Sequence, residues 1–451
     1  GEPRIAEVAD RRAPSDDGTM AFTLPDDAPA VGVLPPATEH LFRINVSRTG
    51  DLVGEGRFET APPEGSRASY AFAFMSCHQP FRPDGSLHPD SARMLSALEP
   101  ALEARGVKYV LLIGDQIYAE APARHGLPRA GVEQPVGEIH ARYQARYRQF
   151  WALPEVRRLQ ARWPTWCIWD DHEIVNDWGA RREHSGPSWR RVFEGARRAF
   201  FDYQVSRTLS PGSSSLPAAF QQSFVWGNAA TFVMDLISQR AVSGGEGRVY
   251  GDEQLDALKG FLREQRERAV VFVVLTVPPV YLPDWLVGLG ERVPVLGSVF
   301  ATRWNAARNR PQLDRLLDVL RAHQRAARGQ KLVLLSGDVH QGAALSLRWP
   351  TGERAYQFVS SPVTNAERDW KQSLARRLSF SMRRARHGAE QVEVERLPGT
   401  GPARRNPFSG LNVGVVHVGD EGASATVRFE LITYDASEPG GVLAPYDSGR
   451  L

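Results

Sequence analysis

Four short apolar runs each end in residues that can hold a proton or a cation. Phe72-Ala73-Phe74-Met75 leads into Ser76-Cys77-His78, and Tyr109-Val110-Leu111-Leu112-Ile113 into Gly114-Asp115-Gln116-Ile117-Tyr118. Trp166-Cys167-Ile168-Trp169 leads into Asp170-Asp171-His172-Glu173, with Asn176-Asp177-Trp178 just beyond. Leu332-Val333-Leu334-Leu335 leads into Ser336-Gly337-Asp338-Val339-His340. Brought together, so many carboxylates cannot all stay ionised without repelling one another. Di- or trivalent cations invert that problem, because each offsets two or three negative charges. Carboxylate and amide oxygens suit a hard ion such as Ca²⁺, while a His nitrogen, a thiolate or a phenolate suits a transition metal. Glycine ahead of Asp115 and Asp338 permits a tight turn and close backbone approach. Each cluster also has a plainer use. Gly-Asp after a strand makes a turn or helix cap, Asp170 or Asp171 could cap a helix starting after Ile174, and Cys77 could be a small buried hydrophobe. Recurrence of the pattern after four apolar runs favours ligation.

The elements that would position these clusters follow from hydrophobic periodicity. Apolar runs at Tyr70 to Met75, Tyr109 to Ile113, Trp166 to Trp169, Thr231 to Leu236, Val270 to Val277 and Leu332 to Leu335 read as buried strands. Helical patterns occupy Ser91 to Ala104, Val136 to Trp151, Trp189 to Tyr203, Asp252 to Arg266 and Gln312 to Ala326. Strands alternating with helices predict an α/β fold, in which ligands bind beyond the carboxyl ends of the strands. Asn412 to Val418 and Ala423 to Thr433 read as an antiparallel pair closing the sheet. Alternating runs at Leu41 to Val46 and Gly54 to Thr60 predict a small β-rich domain over 1–61, joined by a Pro- and Gly-containing linker to a main domain over 67–451. Val280 to Phe300, apolar but broken by Gly and Pro, reads as a surface insertion or lid. Leu374 to Arg386 carries Arg376, Arg377, Arg383, Arg384 and Arg386, either a solvated helix face or an anion-binding one.

Composition removes several alternatives. With 451 residues, 42% of them hydrophobic, the chain can bury a large core, which excludes disorder and small disulfide scaffolds. Lys+Arg 55 against Asp+Glu 52 gives a net charge of +3, too small for a nucleic-acid partner to be expected. Cys77 and Cys167 are too few for a disulfide framework or a structural zinc site. No stretch is long and apolar enough to predict a membrane span. A chain opening on Gly1 rather than Met fits both a cytosolic protein and a secreted one whose leader has been removed.

Taken together, the four clusters resemble the PhoD-like (alkaline phosphatase D) family of the calcineurin-like metallophosphatase superfamily. Leu34-Pro35-Pro36 with Gly56-Arg57-Phe58-Glu59-Thr60, Gly251-Asp252-Glu253-Gln254 and Phe358-Val359-Ser360-Ser361-Pro362 extend the likeness across roughly residues 34–433. The superfamily's usual opening Asp-x-His is replaced by Ser76-Cys77-His78, which fits the PhoD-like branch alone. The resemblance implies a calcineurin-like αββα sandwich metallophosphatase domain preceded by a short or partial β-sandwich. It also implies Fe³⁺ beside Ca²⁺ and a secreted or periplasmic bacterial origin. Carried over, Cys77, Asp115 and Tyr118 hold iron, Asp115 bridges to calcium, and Asn176, Asp338 and His340 complete that shell. Asp171 and His172 act as ligands or orienters. Arg240 follows Asp235 at a looser spacing than the family's Asp-x-Arg and stands as a substrate clamp. The expected reaction is hydrolysis of phosphomonoesters or phosphodiesters by hydroxide formed from coordinated water, with His340 or His172 protonating the leaving oxygen. Two rivals keep the same residues: a phospholipase D-like phosphodiesterase whose 280–300 segment meets lipid, and a non-catalytic binding protein stabilised by metal.

Overall fold

The computed structural model describes residues 31–451 except 122–125, 128–131, 209–215, 243–246, 294–296, 367–377, 420–424 and 439, with isolated positions nearer the N-terminus. Two sheets lie face to face. Among the described residues one has six strands and the other eight. In the first, β3 (Tyr70–Met75), β4 (Val107–Ile113) and β5 (Thr165–Ile168) are parallel. β14 (Val413–Gly419), β15 (Thr426–Tyr434) and β16 (Val442–Asp447) extend that sheet antiparallel. In the second, β7 (Ala229–Val233), β8 (Val270–Val274), β9 (Lys331–Ser336) and β11 (Arg354–Val359) are parallel neighbours.

Period-two alternation builds the layers. Phe72, Phe74, Tyr109 and Leu111 point between the sheets, where they meet Phe272, Val274, Val333 and Phe358 of the second sheet. Phe72 and Phe272 rings touch edge to face at 5.0 Å, and Phe358 stacks on Phe429 at 4.6 Å. The alternate residues Ala71, Ala73, Met75, Val110 and Leu112 face outward beneath α1 (Pro89–Ala104) and α3 (Pro154–Arg162). Val271, Val273, Leu332 and Leu334 do the same beneath α5 (Asp252–Glu264) and α8 (Arg310–Ala326). Burial on both faces is why these strands read as unbroken apolar runs. The architecture is an αββα sandwich. α2 (Val136–Trp151) and α4 (Pro187–Phe200) pack on the inter-sheet core through Tyr143, Tyr147, Phe150, Val192 and Phe200.

Several expectations need correcting. The helix expected to end at Tyr203 gives way after Phe200 to a π turn, Phe201–Val205. No helix starts directly after Ile174 among the described residues; Asp170 instead caps a single 3₁₀ turn, Asp171–Glu173. Strands β11 and β16 are not among the runs read from the sequence, nor are β6 (Gln222–Trp226), β10 (Ala343–Arg348), β12 (Arg384–His387) and β13 (Glu390–Arg396). The last two bury only one and two side chains, which leaves too short an apolar run to mark a strand. Because β12 is an edge strand, no helix face runs through Arg384 and Arg386; Arg376 and Arg377 lie outside the described residues. β1 (Glu39–Asn45) and β2 (Leu52–Glu59) form a separate antiparallel hairpin, tied to the body by Arg57 to Glu103 at 2.7 Å. Within 280–301 lie two short helices, α6 (Asp284–Gly290) and α7 (Gly297–Ala301). Leu282 and Val287 pack inward there, whereas Trp285 and Leu289 are 62% and 55% exposed. Among the described residues, no helix is long and apolar enough to cross a membrane.

Candidate metal centre

The carboxyl ends of β3, β4, β5, β9 and β11 meet at one edge of the sandwich, and the loops leaving them are strained. Cys77 (φ 58°), Asp115 (56°), Asp177 (59°), Asp338 (61°) and His340 (52°) all adopt the left-handed region. Such backbone costs a non-glycine residue about 1–3 kcal/mol and clusters where function requires it. Two glycines let the loops interlock. A Cβ on Gly114 (φ 96°) would lie 2.6 Å from Asp170 Cβ, and one on Gly337 would lie 2.3 Å from Ser76 Oγ.

Of the residues expected to act, most come together. Asp115, Asp171 and His172 offer ligand atoms within 4.8 Å of one another. Cys77 Sγ lies 3.2 Å from Asp115 Oδ2 and accepts from Ser361 Oγ at 3.1 Å. Tyr118 stacks on the His172 ring at 3.9 Å, and its hydroxyl stands 3.4 Å from His340 Nε2. The Asp338 N–H donates to Ser76 Oγ at 3.3 Å, and its carbonyl lies 3.7 Å from Cys77 Sγ. Asn176 sits at the rim, donating to Asp177 Oδ2 at 3.4 Å, and the Asp177 N–H donates to Asp171 Oδ2 at 2.7 Å. Arg240 is set apart behind Asp170, with 3.9 Å between Arg240 Nη1 and Asp170 Oδ1.

Four further residues complete the arrangement. Glu173, fully buried, accepts N–H bonds from Asp115, Gln116 and Asp170, so one carboxylate joins the β4 and β5 loops. His172 Nδ1 pairs with Glu120. Arg303 pairs with Asp338. Ser298 Oγ donates to Asp177 Oδ2 at 2.9 Å. Glu173 lies inside a motif the sequence marks, and Glu120 lies two residues past Tyr118. Ser298 and Arg303, by contrast, come from the 280–304 region and carry no sequence signal.

The electrostatics call for positive charge. Burial raises the Asp115 and Asp170 carboxyls well above the usual range, with nearby Cys77 and Asp171 charge adding to it. Burial pushes Asp171 up to about 6 and the Cys77 thiol up to about 12. Burial works against protonation of His172, yet Glu120, Asp115 and Asp171 outweigh it and raise that imidazole well above its ordinary value. Asp170 Oδ2 and Asp171 Oδ1 are buried with no hydrogen-bond partner. Buried acceptors of this kind, among like charges, fit a cation. Carboxylates, a thiol, a phenol and imidazoles form a donor set able to hold both a hard ion and a transition metal.

Comparison with known proteins agrees with this geometry. A structure described as that of PhoD shares the fold at a TM-score of 0.57, covering 91% of this chain and 78% of its own at 16% identity. A purple acid phosphatase isolated from yellow lupin (Lupinus luteus) seeds follows at 0.53, covering 92% of this chain and 60% of its own at 12% identity. At such identities the likeness speaks for the calcineurin-like fold alone. The search of curated proteins finds no match. The model of the PhoD-like phosphatases matches residues 72–396, well over half the chain and all four clusters, and the protein therefore belongs to the PhoD-like phosphatase family.

Proposed function

We propose that the protein is a metal-dependent phosphoric ester hydrolase acting on phosphomonoesters, phosphodiesters or both. The observation that carries this reading is the convergence of Asp115, Asp171 and His172 within 4.8 Å at the carboxyl ends of the strands. Cys77, Asp115 and Tyr118 offer donors suited to Fe³⁺, and Asp115, Asn176, Asp338 and His340 a largely oxygen set suited to Ca²⁺. Cations held by these residues would acidify water as the nucleophile and offset charge on the phosphoryl group.

The chain's own contribution is positional and acid–base. Glu173 holds the β4 and β5 loops in register. Asp171 spends one carboxylate oxygen on the Asp177 N–H and keeps the other open to the site. His172, fixed by Glu120 at Nδ1 and by the Tyr118 ring, is placed to protonate the leaving oxygen, with His340 as a second donor. Metal-loaded protein should release phosphate from a chromogenic monoester, lose that activity on chelation and regain it when iron and calcium are restored. No turnover of any monoester or diester by metal-replete protein would leave only the reading of a metal-stabilised binding protein.

One observation favours a second substrate class. Trp285 and Leu289 are exposed on the 280–301 segment, and exposed Val299 follows the Ser298 that bonds Asp177, so this segment carries apolar surface and reaches the centre at Ser298. A lipidic or otherwise bulky diester would use it. Trp285→Ser with Leu289→Ser should then impair hydrolysis of a vesicle-borne diester and spare a small chromogenic one. Equal activity on both substrates would remove this reading.

A further inference from the structure

Two arginines reach the acidic cluster, and they differ in what they can touch. The Arg240 side chain is 1% exposed and lies 3.9 Å from Asp170 Oδ1. Its second terminal nitrogen donates to the Thr302 carbonyl at 2.7 Å. So enclosed, the guanidinium turns no edge to the open side of the site, although its Nε has no hydrogen-bond partner. Arg303 is the residue after that carbonyl. Its side chain is 14% exposed, and one terminal nitrogen pairs with Asp338 Oδ2. Its guanidinium carbon lies 5.7 Å from the centroid of the Tyr281 ring, and its Nε donates to the Val299 carbonyl at 3.3 Å.

We propose that Arg303 binds the phosphoryl group of the substrate and that Arg240 positions it by holding the Thr302 carbonyl. The proposal rests on the hydrolase reading above and assigns the anion-binding role to a residue from the 280–304 region. Three arguments support it. The Arg303 guanidinium touches Asp338, one of the carboxylates assigned to the cations, so it borders the space where a phosphoryl group bound to them must lie. A planar fork of N–H donors matches phosphate oxygens in a way a point charge does not. The Asp338 pair, moreover, would loosen with a cation on that carboxylate, while the Tyr281 ring and Val299 carbonyl keep the guanidinium in place for an anion.

The test uses metal-loaded protein and inorganic phosphate as the probe. Phosphate affinity is measured by calorimetry, with KM and kcat on a small chromogenic monoester, metal content and thermal midpoint recorded alongside. Arg303→Gln should weaken phosphate binding and raise KM by about 10- to 100-fold, the scale of a lost charge-assisted hydrogen-bond pair, with metal content unchanged. Arg303→Lys, which keeps the charge but not the fork, should recover part of that loss and serves if the glutamine variant does not fold. Arg240→Lys should weaken phosphate binding by itself and add nothing to Arg303→Gln. Unchanged phosphate affinity in both Arg303 variants would overturn the proposal, as would a loss explained wholly by lower metal content. Additive effects of the two arginines would overturn the positioning role of Arg240. Should wild type bind phosphate tightly yet hydrolyse no ester, the hydrolase reading fails and the anion site stands. Should wild type hydrolyse esters while Arg303→Gln leaves KM and phosphate affinity untouched, the reverse holds.

Discussion

Replacing Glu173 by glutamine tests how the centre is assembled, because the change alters charge and one acceptor without altering shape. Glu173 Oε2 accepts from the Asp115 N–H at 2.9 Å and the Asp170 N–H at 3.0 Å. Oε1 accepts from the Gln116 N–H at 2.7 Å and from the Gln204 side-chain amide at 3.2 Å. A glutamine oxygen placed at the Oε2 position keeps the first two bonds, and Gln204 can turn its amide to accept. The new –NH₂ then faces the Gln116 N–H, donor against donor; the opposite setting loses two bonds instead of one. One buried N–H left unsatisfied costs about 1–3 kcal/mol, and loss of charge assistance in the two surviving bonds adds about 0.5–1 kcal/mol each. The expected destabilisation is therefore about 2–5 kcal/mol. Burial pushes the Glu173 carboxyl up to about 7 against the pull of the N–H groups, a cost of burying charge that glutamine is spared, so the variant's deficit should be largest at low pH and shrink as pH rises through that value. Denaturant unfolding of the chelated proteins measures the stability difference. Metal analysis should show lower occupancy in the variant, because the two loops joined by Glu173 carry Asp115 and Asp171. A loss under about 1 kcal/mol with full metal content would show that packing of Gly114 on Asp170 aligns the loops unaided.

Asp115→Asn should lower turnover by about 10²-fold or more while leaving the circular dichroism spectrum unchanged, and activity within a few-fold of wild type would refute its place between two cations. If Cys77 and Tyr118 hold Fe³⁺, the loaded protein should be coloured by charge transfer, and Tyr118→Phe and Cys77→Ser should each shift or bleach the band. A colourless, iron-free, fully active enzyme would point to an all-divalent centre. Removing the metals should make stability pH-dependent in a defined direction. Burial, with neighbouring negative charge, raises Asp115, Asp170 and Asp171 above their unfolded values, Asp171 to about 6. Raised folded-state values give stability that is complete below the unfolded pKa of about 4 and is lost as pH rises through the folded values. The thermal midpoint of chelated protein should thus fall from about pH 4 upward and go on falling past 6, and added cations should stabilise more at high pH than at low; a flat chelated profile would contradict this.

Much of the centre was legible in the chain itself. Apolar runs ending in Gly-Asp or Asp-Asp-His-Glu marked both the buried strands and the polar loops at their carboxyl ends, because a strand covered on both faces must be apolar throughout while the loop leaving it is free to be polar. Cys77, Asp115, Tyr118, Asp171, His172, Asp338 and His340 were all placed that way, and the fold places them together at one edge. What the chain concealed has equally physical causes. The edge strand β12 buries only His387 fully and its neighbour β13 only Val392 and Val394, so each leaves a short apolar signal. Left-handed backbone at Cys77 and His340 is imposed by the packing of loops on one another, and neither residue type announces it. Glu173 reads as one more acid in a cluster; only its position among three backbone N–H groups of two loops makes it a structural joint. Arg240 and Arg303 look alike in sequence. One is sealed behind Asp170 and the other opens onto Asp338, a difference set by how the 280–304 region lies against the sheet edge and by no local pattern of residues.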